Sequence, residues 1–298
     1  MSKSVDLDLG LVVASHGRHY IVETPEGRRL TCHPRGKKSE CVVGDQVRWQ
    51  DTAGGEGVIE HLEARRNLFF RQDEWKIRSF AANLDQILVL VAAHPVFSET
   101  QLARSLIAAE SAGIAAHIVL NKSDLPGFAA AQQRLAPYAT MELEVIPVAL
   151  KADPASSRLR LAPLLADKAT LVLGPSGSGK STLINLLVPG ALAQVGEVSK
   201  ALNAGRHTTT STRWYWIDRD RRSALIDSPG FQEFGLRHVG AERLAGLMPD
   251  LREHVGGCRF YNCTHIHEPG CAVRAAAERG EIAALRYRIY TELRAELA

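Results

Sequence analysis

Eight consecutive residues, Gly174-Pro175-Ser176-Gly177-Ser178-Gly179-Lys180-Ser181, carry the pattern G-x-x-x-x-G-K-S. Glycines at these positions let the backbone curl until successive N–H groups face one anion, and the helix that follows adds the partial positive charge of its N-terminus. Lys180 would reach the outer phosphates of a nucleotide and the Ser181 hydroxyl would ligate magnesium, with Thr182 completing the first helical turn. The flanks agree. The apolar run 169–173 precedes the loop and the helical stretch 182–187 follows it. A plain Gly/Ser turn is the alternative, and it does not require Lys and Ser at these two places.

Three further groups could add chemistry. Asn121-Lys122-Ser123-Asp124 is an N-K-x-D tetrapeptide at the end of an apolar run. Guanine presents a ring N–H and an exocyclic amine on one edge, and the Asp124 carboxylate could accept both. Lys122 would cover the base plane, and Asn121 would tie neighbouring loops together. A site built for such bonds rejects an analogue lacking them by roughly 10⁴-fold. Asp227-Ser228-Pro229-Gly230 is a D-x-x-G turn; Asp227 would hold magnesium through water and the Gly230 N–H would sense a terminal phosphate. The polar stretch 205–211, Gly205-Arg206-His207-Thr208-Thr209-Thr210-Ser211, could offer a threonine hydroxyl, from Thr209 or Thr208, to the same ion. Near the C-terminus Cys258, Cys263 and Cys271 lie close to His265, a set suited to one closed, structural tetrahedral zinc site; His254 and His267 compete for the histidine place.

The elements that must position these residues follow from pattern and length. With 298 residues, 45% hydrophobic and 23% charged, the chain has material for two or three globular units. No apolar run approaches the roughly 20 residues of a membrane span, and the N-terminus lacks the apolar core of a signal peptide. A soluble, cytoplasmic protein with reduced thiols is expected, its five cysteines being core residues or metal ligands. Residues from about 9 to 70 read as short strands, five of them identified, divided by Gly- and Pro-containing turns, the pattern of a small OB-like barrel. From residue 86, continuous apolar strands at 86–91, 114–120, 143–148, 169–173 and 223–226 alternate with helices, the pattern of a three-layer α/β unit. The expected division is 1–72 for the barrel, 73–238 for the α/β unit and 239–298 for a zinc-binding end with helices, including a helical tail over 275–297. The net charge of +3 is too small to indicate a nucleic-acid partner. Local clusters carry that expectation: Arg28, Arg29, Arg35, Lys37 and Lys38; a basic connecting segment from Arg65 through Arg71, Lys76 and Arg78; and Arg213 beside Trp214.

Taken in order, these motifs resemble a circularly permuted GTPase, because N-K-S-D at 121–124 precedes the loop at 174–181 and the turn at 227–230. With a barrel ahead and a cysteine-rich end behind, the chain closely resembles the bacterial ribosome small subunit-dependent GTPase A family. The resemblance extends to Ala82-Asn83-Leu84-Asp85-Gln86 and to Gly230-Phe231. It implies GTP hydrolysis in late maturation of the small ribosomal subunit, stimulated by that subunit and its rRNA, with magnesium and one zinc as metals, by a monomer. The family spacing C-x₄-C-x-H-x₅-C selects His265. Residues 147–151 depart from the family's Ser-Ala pair, so base contact by the Leu150 backbone rests on position alone. The place where many GTPases carry a water-orienting glutamine holds Phe231, and Gln232 is one residue beyond, so His207 is assigned that role. Alternatives are a nucleotide-gated RNA-binding scaffold with incidental hydrolysis, and an ATPase with a chance N-K-S-D.

Overall fold

The structure is a computed structural model, and it describes residues 7–36, 41–52, 54–72, 77–139, 141, 143–191, 212–229 and 234–298. Five strands open the chain: β1 (Asp8–His16), β2 (His19–Glu23), β3 (Arg29–Pro34), β4 (Gln46–Asp51) and β5 (Gly57–Leu62). They pair β1–β2–β3–β5–β4, and β4 returns to β1, closing the barrel. Alternate residues point inward, so Val12, Tyr20, Val22, Cys32, Val47 and Trp49 form a core of their own. Gly57 is required there: a Cβ on it would stand 2.5 Å from the Cys32 sulfur and 2.8 Å from the Trp49 ring. Burial pushes the Cys32 thiol up to about 12, the behaviour of a core residue.

The second unit is a six-stranded sheet, ordered β10 (Val145–Pro147), β9 (Ala115–Asn121), β8 (Gln86–Ala92), β11 (Ala169–Leu173), β13 (Ala224–Asp227) and β12 (Arg213–Trp216). All neighbours are parallel except β12, which runs antiparallel to β13. Every residue of β8 and β11 is buried. The period of two sends Ile87, Val89 and Val91 to one face and Leu88 and Leu90 to the other. The first face packs α1 (Glu99–Ser111) and α2 (Phe128–Ala139); the second packs α3 (Pro154–Leu165) and α4 (Lys180–Leu187). Side-chain caps fix two of these starts. Ser98 Oγ accepts from the Gln101 N–H and Asp153 Oδ1 from the Ser156 N–H.

The C-terminal end covers the first face with α5 (Pro249–Val255), α6 (Ala272–Glu278) and α7 (Ala284–Leu297). The Arg286 guanidinium makes paired bonds of 2.9 and 3.0 Å to Asp250 and lies 5.0 Å over the Tyr138 ring of α2. Arg104 of α1 pairs with Glu296 of α7 and donates to the Phe234 carbonyl. The helical tail expected over 275–297 is made of two helices, α6 and α7. Gly280, at φ +78°, takes the left-handed turn that ends the first of them.

One expectation is corrected. The basic segment after residue 65 is no mere connection: β6 (Leu68–Gln72) and β7 (Ile77–Ala82) form a hairpin, because Phe69 and Phe80 have a buried partner in Phe234. The fold also brings acids to the basic clusters, although Arg28, Arg35 and Arg66 stay exposed. Arg28 pairs with Asp51, Arg29 with Glu23, Arg35 with Glu60, Arg65 with Asp45 and Arg66 with Asp85. Lys37, Lys38 and Lys76 lie outside the described residues. Among the described residues no helix is long and apolar enough to cross a membrane.

Asp250→Ala would leave the Arg286 charge, 3% exposed, without its partner. The expected loss is about 3 kcal/mol in urea unfolding, with much of it recovered when Arg286→Met is added, because a buried ion pair replaced as a whole is close to neutral.

Candidate functional site

The parallel strands β8, β9, β10, β11 and β13 end on one edge of the sheet, and the loops leaving that edge hold the candidate residues. Asn121, the last residue of β9, is 4% exposed and does two things at once. Its Nδ2 donates to the Ser178 carbonyl at 2.9 Å, and its Oδ1 accepts from the Leu150 N–H at 3.1 Å. One amide thus joins the 121–124 turn, the 174–181 loop and the 148–150 segment. The Leu150 N–H, expected by position to face the base, donates here to Asn121.

The glycines of the 174–181 loop are explained by neighbours. Gly179 caps α4 in a left-handed conformation (φ +110°), and a Cβ on it would stand 2.3 Å from Asn121 Nδ2. Gly174 (φ +154°) would place a Cβ 2.2 Å from the Leu90 carbonyl oxygen. Gly177 (φ +79°) faces Pro95 at 3.2 Å, so the 174–181 loop packs on the loop after β8. Pro175 is half-buried, Ser176 exposed and Ser178 buried. Ser181 and Thr182 are exposed in the first turn of α4, whose leading N–H groups have no acceptor within the helix.

Lys180 donates to the carbonyls of Gly174 (2.6 Å) and Pro175 (3.1 Å), folding its ammonium back over the loop. Burial lowers its pKa, and the charge of Asp227 partly offsets this. Asp227, the last residue of β13, is 7% exposed; burial pushes it up to about 6 against the opposing pull of Lys180 and Arg213. Ser228 is anchored beside it by a 2.8 Å bond from its hydroxyl to the Val172 carbonyl. In the 121–124 turn, Lys122 has φ +65° and its ammonium donates to the His94 carbonyl, while the Ser123 N–H donates to Val148. Asp124 is exposed at the rim. His207, Thr208, Thr209, Gly230, Phe231 and Gln232 lie outside the described residues, as does the whole stretch 192–211.

Arg213 and Trp214, expected as surface contacts, are 7% and 6% exposed. They sit in β12, a strand whose alternating pattern was hidden in sequence by four bulky residues in a row, all of them at least half-buried. Sequence reasoning also missed His94 and Pro95. Their only signal is position after β8, and what makes them neighbours of Lys122 and Gly177 is the sheet order.

A second cluster lies about the loop before α6. The ligating atoms of Cys258, Cys263, His265 and Cys271 fall within 4.8 Å of one another. Cys258 Sγ and Cys271 Sγ are 3.9 Å apart, and His265 Nδ1 stands 3.4 and 3.5 Å from them. Metal bonds of zinc–thiolate and zinc–imidazole length require tetrahedral edges of about 3.8 and 3.6 Å, so the donor set fits one closed ion site. His265 adopts φ +60°; Tyr287 and Tyr290 donate to the carbonyls of His265 and Thr264 at 2.7 and 2.8 Å. Burial works against the Glu268 carboxylate, but bonds from the Thr264 hydroxyl and the Thr264 and His267 amides outweigh it and hold its pKa far below the usual range. Burial and the adjacent thiols push Cys263 up to about 12, and a bound cation would favour the thiolate forms instead.

The geometry yields two expected outcomes. Because the Asp227 pKa is raised from 3.8 to about 6, the folded state binds this proton more tightly than the unfolded state, and the wild type loses stability as pH rises through that window. Asp227→Asn removes that loss, raising nucleotide-free stability above pH 6 by up to about 3 kcal/mol, while magnesium-dependent nucleotide binding falls; thermal melts at pH 4.5 and 8 compare the two. Gly179→Ala displaces Asn121, and nucleotide titration should show at least about a hundredfold weaker binding, because both the left-handed cap and the bridging amide are lost.

Comparisons with known proteins agree with this arrangement. The family model described as RsgA GTPase matches residues 62–237, more than half of the chain. A relative from Variovorax paradoxus, "Small ribosomal subunit biogenesis GTPase RsgA", is 62% identical over 294 residues, covering 97% of this chain and 92% of its own. A relative of the same name from Burkholderia pseudomallei is 50% identical over 286 residues, covering 95% and 90%. The crystal structure of YjeQ from Thermotoga maritima superposes with a TM-score of 0.76 at 28% identity, over 98% of this chain and 99% of that one. That of YloQ, described as a circularly permuted GTPase, gives 0.71 at 26%, over 100% and 97%. With its barrel, its permuted α/β unit and its Cys₃His cluster, the chain belongs to the RsgA GTPase family.

Proposed function

We propose that this GTPase acts in late assembly of the small ribosomal subunit, and that binding the subunit and its rRNA stimulates GTP hydrolysis. The observation that carries the site assignment is the Asn121 bridge, which locks the base-side turn to the phosphate-side loop. The names of the relatives supply the ribosomal context. A cytoplasmic monomer is the working form.

In this reading the amides of residues 174–181 and the Lys180 ammonium cradle the outer phosphates, and Asp124 accepts the two guanine donors while Lys122 covers the ring. Ser181, Thr209 and, through water, Asp227 hold magnesium; when bound, this ion neutralises charge on the two outer phosphates. Gly230 senses the terminal phosphate. His207 holds the attacking water, whose oxygen bonds to the terminal phosphorus as the bridge to the second phosphate breaks. GDP and phosphate leave, the phosphate taking up the water's proton. Zinc is the ion of the Cys258, Cys263, His265 and Cys271 cluster, and its role is structural because four protein donors fill the shell.

GTP turnover titrated with purified small subunits is the direct test. The expected result is a saturable rise of at least about tenfold; unchanged turnover with normal subunit binding would instead favour a nucleotide-gated scaffold. His207→Ala should keep nucleotide affinity and lose on the order of 10²-fold or more of the stimulated rate. Asp124→Asn exchanges one acceptor for a donor, matching the carbonyl that xanthine carries in place of the guanine amine. Preference should shift from GTP to xanthosine triphosphate, read by competition, while excess ATP displaces neither. Chelation should release one zinc per chain and lower the melting temperature; retention of zinc by Cys263→Ser with unchanged affinity would remove that residue from the ligand set.

A further inference from the structure

The segment that follows β8 is tied down at both ends and exposed in the middle. At its start the Ala93 N–H donates to the Asn121 carbonyl at 3.3 Å. At its end Phe97 is buried, its carbonyl accepts from Arg134 at 2.6 Å, and the Arg134 guanidinium lies 4.3 Å over its ring. Glu99 pairs with the same guanidinium. Between these anchors His94 and Pro95 are exposed and make two contacts with the cleft. The His94 carbonyl accepts from the Lys122 ammonium. The Pro95 ring lies on the open face of Gly177, where a Cβ would stand 3.2 and 3.3 Å from two of its carbons. One dipeptide thus touches both the 121–124 turn and the 174–181 loop.

A lysine that is to cover a base plane needs its ammonium held. Its flexible stem otherwise swings away, and ordering it on binding costs entropy. The His94 carbonyl supplies the anchor, and proline makes that anchor rigid. The pyrrolidine ring fixes its own φ and confines the residue before it to extended backbone, so the direction of the His94 carbonyl is set by the residue that follows. Contact with Gly177 seats the ring in turn. We infer that Pro95 is a positioning residue for the nucleotide: it holds the His94 carbonyl where that carbonyl anchors the Lys122 ammonium, so that the lysine stem lies preformed over the guanine ring. The inference rests on the proposed reading of 121–124 as the base-recognition turn. It divides the base side of the cleft into two parts. Asp124 selects guanine by its edge, and the chain Pro95–His94–Lys122 adds affinity through the face of the ring. The two act independently, because a stem lying on the ring does not sense which groups the edge carries.

GDP and inosine diphosphate, which lacks the exocyclic amine, separate the two parts when each is titrated into the full chain. The variants are Pro95→Ala, which releases the His94 carbonyl, Lys122→Met, which keeps a stem and removes the ammonium, and the two combined. Each single change should weaken GDP binding about tenfold, the loss of one charge-assisted bond. Inosine diphosphate should weaken by the same factor, so that Pro95→Ala keeps the wild-type preference for GDP. A cleft that had merely loosened would lose that preference, because Asp124 would be displaced as well. In the double variant the losses should not multiply, GDP binding being no more than about threefold weaker than in Lys122→Met alone. Unchanged affinity in Pro95→Ala, loss of its GDP preference, or a loss of about a hundredfold in the double variant overturns the inference. Unchanged affinity in Lys122→Met, or a wild type that does not prefer GDP to inosine diphosphate, overturns the reading of 121–124 and the inference with it.

Discussion

The nucleotide cleft depends on one buried amide. Asn121 donates to Ser178 and accepts from Leu150, so three loops from three strand ends hold one another in place through a single side chain. An amide suits the task because it offers a donor and an acceptor in one plane; a carboxylate would repel the Ser178 carbonyl and an aliphatic side chain would leave both backbone groups unpaired. The close approach has a cost borne by Gly179, which must take a left-handed conformation and has no room for a Cβ. Sheet order makes the bridge possible, since β9 and β11 lie on either side of β8 and all three end on the same edge.

Permutation changes what lies on either side of this cleft. The chain leaving Asp227 reaches Phe234 within seven residues, and Phe234 is buried with Phe69 and Phe80 of the hairpin. The hairpin in turn meets the barrel, where the Ala82 N–H donates to the Val43 carbonyl, and Gln72 exchanges backbone bonds with Gly235 and Arg237. Arg104 ties the same Phe234 carbonyl to Glu296 of the last helix. Displacement of the Asp227 segment would therefore act on both flanking units. Such a change needs two discrete packings of the hairpin against Phe234, because a close-packed aromatic cluster does not deform continuously.

The cysteine-rich loop is held by more than its four donors. Two tyrosines from α7 bond the carbonyls of Thr264 and His265, and Glu268 collects the Thr264 hydroxyl and nearby amides. These contacts set the left-handed backbone at His265 and so aim its ring at the thiols. Orientation of a metal-binding imidazole by its surroundings is a general requirement of such sites. It also explains why His265 stands with the cysteines, while His267, two residues on, is exposed.

Much of this was legible in the chain. The apolar runs at 86–91 and 169–173 could only be strands buried on both faces, and turn residues at short intervals from about 9 to 70 required short strands. The order of N-K-S-D, G-x-x-x-x-G-K-S and D-S-P-G by itself indicated permutation, because motif order is a property of sequence. Local pattern reached no further than local interactions. It missed the hairpin, whose strands are stabilised by Phe234 from more than 150 residues away, and it took Arg213 and Trp214 for surface groups because four bulky residues in β12 carry no polar alternation. Nor could it show the carboxylate partners of Arg28, Arg29, Arg35, Arg65 and Arg66, which arrive from other strands and turns. Side-chain types and their spacing determined which chemistry the chain can hold; strand order decided which of those residues meet, because contacts between distant segments are set by how the sheet is assembled.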